Sequence, residues 1–284
     1  MKGSSPILAF EDQEPGIQRV TLNIHTLYPE ELERKEFLKR FSEFLRSDSI
    51  HKDMFSLEGE TLIYKTECII PDKTDKRPPL LFVAGNPASH SVNEKMFFAH
   101  EGQEEQRREH RFWRILRKAD ILTFSSIDNK ESLEERGPLR KRALYDLSYC
   151  SPFRIGLAVF YTMPSPASKY PWAGVNGLRR LFGVEGLARI GACEKRRMDR
   201  IIRDFVSPNG AVMALQKDAY LGLKSSISPN YSLKQASDGT LMGSCECELK
   251  VRLFCTPPTR RLEGKINILR RLREQILYDS STPT

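Results

Sequence analysis

Two short stretches combine chemically useful residue types with a turn-forming, proline-bearing setting. They are Gly85-Asn86-Pro87-Ala88-Ser89 and Thr256-Pro257-Pro258-Thr259-Arg260-Arg261. Asn86 has no useful pKa and is no general base, but its amide oxygen can hold a water by accepting a hydrogen bond. Asn-Pro is equally a common turn dipeptide, and the residues alone leave both readings open. Thr256 offers one neutral hydroxyl. Arg260 and Arg261 carry donor forks suited to phosphates and base edges, although exposed arginine pairs are also ordinary surface. Ser89 follows an apolar run without a surrounding G-x-S-x-G, so a hydrolase elbow is not indicated. The chain has no P-loop, GxGxxG or HExxH, which leaves nucleotide-dependent and zincin chemistry without support. The five histidines (His25, His51, His90, His100, His110) show no metal-pairing pattern. The six cysteines (Cys68, Cys150, Cys193, Cys245, Cys247, Cys255) have no zinc or iron–sulfur spacing and read as reduced thiols. No metal and no cofactor is expected.

Both stretches sit where apolar β-rich runs end. Four such runs are read: Leu80–Ala84, Gly156–Tyr161, Ala211–Leu215 and Val251–Cys255. Helical stretches lie between them at His110–Lys118, Cys193–Phe205 and Lys217–Lys224, and an amphipathic helix over Leu262–Leu277 closes the chain. This alternation predicts an α/β domain over 79–284, with a central, mostly parallel four-stranded sheet covered on both faces. Ligands of such sheets bind at the carboxyl ends of the strands, where the two stretches fall. Residues 1–78 read as an accessory region. It holds a helix from Pro29 with Phe37, Phe41 and Phe44 on one face, and a strand from Thr61 to Ile70 closed by Pro71. Lys73–Pro79 is charged and proline-bearing, a candidate boundary. Glu101–Arg111 is charge-dense and reads as a solvated surface segment.

The net charge is +8, which favours polyanionic partners. Arg179-Arg180 and Lys195-Arg196-Arg197 are either phosphate contacts or solvated helix faces. No run approaches the roughly 18 apolar residues of a membrane span. The apolar run after the first six residues has only four members, short for a secretory segment, so an intracellular location is expected, cytoplasmic in a prokaryote.

Four segments in order resemble the mismatch-specific uracil/thymine-DNA glycosylases, a branch of the uracil-DNA glycosylase superfamily. Ala84-Gly85-Asn86-Pro87-Ala88 is similar to that family's Gly-Ile-Asn-Pro-Gly. Phe98-Ala99-His100-Glu101 and His110-Arg111-Phe112-Trp113 resemble its Phe-Ala-His-Pro and Asn-Arg-Phe-Trp. Leu215-Gln216-Lys217-Asp218-Ala219-Tyr220 looks like Leu-Gly-Lys-x-Ala-Tyr, and Thr256–Arg261 stands where the second active-site motif belongs. The resemblance covers about Leu80 to Leu277 and implies a three-layer α/β/α sandwich. It implies a monofunctional DNA N-glycosylase that extrudes a uracil-like base from single- or double-stranded DNA and hydrolyses its glycosidic bond. Asn86 would hold the water and Phe98 would stack the base. Gly85, Pro87, Ala88 and Ser89 would frame the base, with backbone N–H groups of Gly85, Ala88 and Ser89 on its carbonyls. Thr256 would face the leaving base, and Thr259, Arg260 and Arg261 would form the wedge that enters the DNA. A monomer is expected. The sequence departs from the family at Ala84 and Ala88, where glycines stand, and at Thr256, where His or Asn stands. A neutral hydroxyl stabilises an anionic leaving base less than a charge-assisted donor does, so slow chemistry or an altered base preference would follow. Two other readings are a nucleic-acid-binding protein on the same fold that does not cleave, and an enzyme acting on another nucleobase or a free nucleoside.

Overall fold

The computed structural model describes residues 6–102, 107–128, 132–206, 209–246 and 251–281. Cys247 and the middle of the Glu101–Arg111 segment lie outside them. The chain divides into two compact units: Met1–Cys68 with Asn86–Phe97 and Tyr161–Arg196, and Ile69–Gly85 with Phe98–Phe160 and Arg197–Thr284. A single cut after residue 78 is therefore not the division found. The first unit takes in two later segments, and one of them adds Trp172 and Phe182 to the apolar partners, Tyr28 and Phe55, that residues 1–78 give its aromatic helix face.

The first unit starts with a hairpin that the sequence reading omits. β1 (Leu8–Glu14) and β2 (Ile17–Asn23) meet at Pro15-Gly16, where Gly16 takes the left-handed conformation with φ 84° that glycine tolerates. β3 (Phe55–Glu58) and β4 (Thr61–Glu67) complete an antiparallel sheet in the order β1-β2-β4-β3. β2 buries Ile17, Val20 and Leu22 and β4 buries Leu62 and Tyr64, the one-sided pattern of a sheet with a solvated face. Helix α1 (Glu31–Arg46) forms as expected, with Phe37, Phe41 and Phe44 buried at i, i+4 and i+7. Some of their partners come from far along the chain. Phe37 stacks on Phe182 at 5.5 Å and Phe44 meets Trp172 edge-on at 5.8 Å. Each fully buried ring contributes up to roughly 3 kcal/mol by transfer from water, which explains why Tyr161–Arg196 groups with the N-terminal region.

The second unit holds a five-stranded sheet. Its parallel members are β5 (Pro79–Ala84), β6 (Arg154–Val159), β7 (Ala211–Ala214) and β9 (Arg252–Cys255). β8 (Met242–Ser244) adds an antiparallel edge, giving the order β8-β9-β7-β5-β6. The four expected strands are thus present and a fifth joins them. At three residues, Met-Gly-Ser, it is too short to carry a pattern. The parallel strands are almost wholly buried, as strands covered on both faces must be. Gly156 is required for packing here, since a Cβ would come 2.7 Å from the Phe205 ring. Helices α2 (Arg111–Lys118), α3 (Leu133–Asp146), α4 (Lys217–Leu223) and α5 (Ile266–Ser281) belong to this unit. Ser132 and Glu135 form a reciprocal capping box at the start of α3.

The charge-dense segment is not simply solvated. Arg140 of α3 is buried and pairs with Asp128 (Nε to Oδ1 2.9 Å) and with Glu109, while Arg117 joins Glu109 at 2.9 Å and Asp128 at 2.8 Å. The Arg140 guanidinium also lies 5.2 Å from the Trp113 ring. Glu101 accepts from Arg111, whose guanidinium holds its carboxyl below the usual range against the opposing effect of burial. Among the described residues, no helix is long and apolar enough to cross a membrane.

Candidate active site

The connection β5–β6 runs one way across the sheet and the step to β7 runs the other, so β5 stands at the reversal of strand order. In open α/β sheets, ligands bind outside the carboxyl ends of the strands at this reversal. Phe160 N–H donates to Ala84 O at 2.8 Å and Leu215 N–H to Val83 O at 2.9 Å, so pairing continues to the last residue of β5. Gly85 then leads directly into Asn86.

Asn86 has a determined orientation. Its Nδ2 donates to Ser165 Oγ at 2.9 Å and to the carbonyls of Met163 and Pro87, each at 3.2 Å. Carbonyl oxygens only accept, so the nitrogen must face them and the amide cannot be reversed. Oδ1 is consequently the end turned away, and it has no hydrogen-bond partner among the described residues. The acceptors are themselves fixed. Ser165 N–H donates to Pro87 O at 3.1 Å, and Ser89 N–H donates to Ser165 O at 2.9 Å. Just upstream, buried Glu194 accepts from both the N–H and the hydroxyl of Thr162, whose hydroxyl also lies 3.1 Å from that of Tyr64.

Ser89 opens the short helix Ser89–Asn93 and is buried. Its Oγ lies 2.8 Å from His51 Nε2, and His51 Nδ1 lies 3.0 Å from Phe44 O. The carbonyl can only accept, so Nδ1 carries the proton. Nε2 of the neutral ring is then the acceptor, and Ser89 donates to it. Burial pushes the His51 pKa below its ordinary value, opposed by the Phe44 carbonyl and by Asp48 and favoured by Lys169. A serine donating to a histidine resembles a nucleophile–base pair, but both side chains are almost completely shielded from solvent. Their effect is to pin the Asn86 loop to α1.

This arrangement corrects two expectations. Ser89 does not frame a base, because its N–H is taken by Ser165 O and its hydroxyl by His51. Of the other two expected backbone donors, Gly85 and Ala88, neither N–H has a partner among the described residues. Thr256 does not present its hydroxyl. It is 0% exposed, its N–H donates to Ala214 O at 2.9 Å, and its Oγ1 leans on the same carbonyl at 3.4 Å. The strand end extends the sheet there instead of turning the side chain outward.

Phe98 belongs to the second unit, with Gly85, Thr256 and Thr259–Arg261, whereas Asn86–Ser89 belong to the first. Phe98 is half-buried and stacks on Phe112 at 4.1 Å and 28°, with His110 at 4.9 Å. Its φ of 52° is left-handed, a conformation costing roughly 1–2 kcal/mol for an L-residue. The Trp113 indole N–H donating to Phe98 O at 2.9 Å holds it there. Thr259, Arg260 and Arg261 lie on a single helical turn. Both arginines are exposed and make no ion pair among the described residues.

The other basic clusters have local partners. Arg197 donates to the carbonyls of Val159 and Phe160, closing the end of β6, and Arg196 reaches Cys193 Sγ at 3.2 Å. Arg179 donates to Asn176, and Arg180 lies 5.0 Å from the Trp172 ring. Among the described residues no group of three His, Cys, Asp or Glu side chains could hold a metal, and five cysteines are free thiols. Sequence reasoning overlooked Ser165, His51 and Glu194. Ser165 carries a signal, since Pro164-Ser165-Pro166 follows a strand end much as the recognised stretches do. His51 and Glu194 carry none, because each becomes meaningful only through residues distant in sequence. No protein-family model matches the chain, and no curated protein matches it.

Proposed function

We propose that the protein is a monomeric, monofunctional DNA N-glycosylase. It extrudes a deaminated or mismatched uracil-like base and hydrolyses its N-glycosidic bond without a cofactor. The observation that carries this reading is Asn86, the residue after Gly85: its nitrogen is tied down by three acceptors, and its oxygen is left to accept. Breaking the C1′–N bond leaves an electrophilic oxocarbenium-like sugar and an anionic base. Water held by Asn86 Oδ1 forms the C1′–O bond, and the proton it sheds ends on the departed base. Such a water needs positioning more than strong deprotonation, which suits a side chain that cannot titrate. The N–H groups of Gly85 and Ala88 are the expected loop donors left for a base carbonyl. Phe98 as the base-stacking ring and Thr259, Arg260 and Arg261 as the wedge are what the family resemblance implies for the second unit, whose sheet and helices would be the three-layer α/β/α sandwich of the glycosylases.

A second reading is favoured by one observation. Thr256 turns its only polar group onto a backbone carbonyl and is fully buried, so the second motif supplies no side-chain stabiliser for an anionic base. A protein that binds nucleic acid without cleaving it would need none. One experiment separates the two. Single- and double-stranded oligonucleotides carrying uracil, hypoxanthine, xanthine or mismatched thymine are incubated with the protein and assayed for abasic sites. Cleavage of one of them, reduced about 10²-fold or more in Asn86→Ala with DNA binding retained, supports the glycosylase. Salt-sensitive binding without cleavage of any substrate refutes it and leaves the binding protein.

A further inference from the structure

The segment that anchors Asn86 continues into a surface with its own chemistry. After Pro166 the chain emerges at Ala167 and presents Lys169 and Tyr170 to solvent before returning to the core at Trp172. Tyr170 is 95% exposed, the most exposed large hydrophobic side chain in the described protein. It borders an open groove of about 730 Å³ whose lining includes Arg46, Lys169 and Trp172, with Glu43 as the acid. Arg46 is exposed, and Arg180 covers the Trp172 ring. Lys169 reaches the mostly buried carboxylate of Asp48 at 3.2 Å from a side chain that is itself more than half exposed, so its ammonium keeps an open side that a phosphate can approach. An exposed ring costs hydration without any packing return. An aromatic face beside cations, in an open channel, is the arrangement that holds single strands: bases stack and the cations track the phosphates.

We propose that Tyr170, with Lys169 and Arg46, is a stacking site for single-stranded DNA. The proposal rests on the nucleic-acid partner of the preceding section but not on cleavage. Tyr170 is five residues from Ser165, so their Cα atoms are at most about 18 Å apart, roughly five base steps of 3.4 Å. Ser165 Oγ is 2.9 Å from Asn86 Nδ2, so a strand engaged at Asn86 has its flanking nucleotides within reach of Tyr170.

The test is fluorescence anisotropy of labelled oligo(dT), which carries no uracil, against the full chain, with a matched duplex alongside. Wild-type protein is expected to bind the single strand, and Tyr170→Ala to weaken that binding about 5- to 150-fold, the equivalent of ~1–3 kcal/mol for one stacked base. Tyr170→Trp should restore binding and show indole quenching as the strand is added. Lys169→Ala with Arg46→Ala should flatten the salt dependence. Tyr170→Ala binding oligo(dT) as tightly as wild type overturns the stacking site, even when uracil cleavage is intact. Absence of any binding to oligo(dT) by wild type overturns it as well. Loss of stacking in Tyr170→Ala with no cleavage of any substrate supports the site while refuting the glycosylase.

Discussion

Acidification should destabilise the first unit through one residue, His51. Its ring is fully buried, donates from Nδ1 to Phe44 O, accepts at Nε2 from Ser89 and stacks on the Phe44 ring at 4.4 Å. Protonation would place a charge in a fully buried site where, among the described residues, no carboxylate pairs with the ring and Asp48 offsets only part of the cost of burial, and Nε2 would lose its acceptor lone pair. The folded-state pKa is accordingly lowered from 6.5, with burial the leading cause. A group with a lowered folded pKa binds fewer protons folded than unfolded, so stability falls as pH falls. For a histidine the fall begins near the unfolded pKa of about 6.5 and proceeds at about 1.4 kcal/mol per pH unit until the folded pKa is reached. The assay is urea unfolding from pH 7.5 to 5, on wild type and on His51→Gln. The variant should lose about 1–3 kcal/mol at pH 7.5, from a buried partner left unsatisfied. It should also lose one proton's worth of pH dependence below 6.5. The remaining histidines and the carboxylates are common to both proteins and cancel in the difference. Parallel curves for the two proteins would refute the assigned tautomer and the buried neutral ring.

Two further outcomes follow from the second unit. Arg140→Ala should cost about 1.5–3 kcal/mol, because it removes the buried cation shared by Glu109 and Asp128 while Arg117 still pairs with both; a calorimetric loss below about 0.5 kcal/mol would show that Arg117 alone satisfies the two carboxylates. Arg260→Ala and Arg261→Ala should each lower the slope of log affinity against log salt by about 1 if the pair meets phosphates, and an unchanged slope would mark both as plain surface.

The strands of the parallel sheet were legible because burial on both faces writes a continuous apolar run. Leu80–Val83 and Ala211–Ala214 needed nothing but composition. Helix α1 was legible from Phe37, Phe41 and Phe44, yet the rings that cover it, Trp172 and Phe182, could not be, since helical periodicity names a face and never its partner. β8 is shorter than any pattern, and the β1–β2 hairpin hides an available signal, Pro15-Gly16, among charged residues. The same division runs through the candidate site. Asn86 stood out as a residue type in a special turn. What orients it comes from elsewhere: Ser165 from beyond the next strand, His51 and Phe44 from the N-terminal region. That region read as mere packing, because a hydrogen bond between positions 51 and 89 has no periodicity to betray it.

The two recognised stretches therefore have unequal standing. Asn86 is held by its nitrogen, which costs an immobilised side chain and makes sense where the oxygen has something to orient. Thr256 is held by both its N–H and its hydroxyl on one carbonyl, an arrangement that completes a sheet and leaves nothing over. If hydrolysis occurs, the leaving base must be stabilised by other groups, and among the expected backbone donors only the N–H groups of Gly85 and Ala88 remain without a partner among the described residues. One neutral backbone donor is worth a few kcal/mol when pre-aimed at developing charge, less than a charge-assisted contact supplies. For the glycosylase proposed above, that difference selects the easiest chemistry of its class: excision of bases that already leave well as anions, with selectivity set by how readily the base is extruded and by how its strand is held.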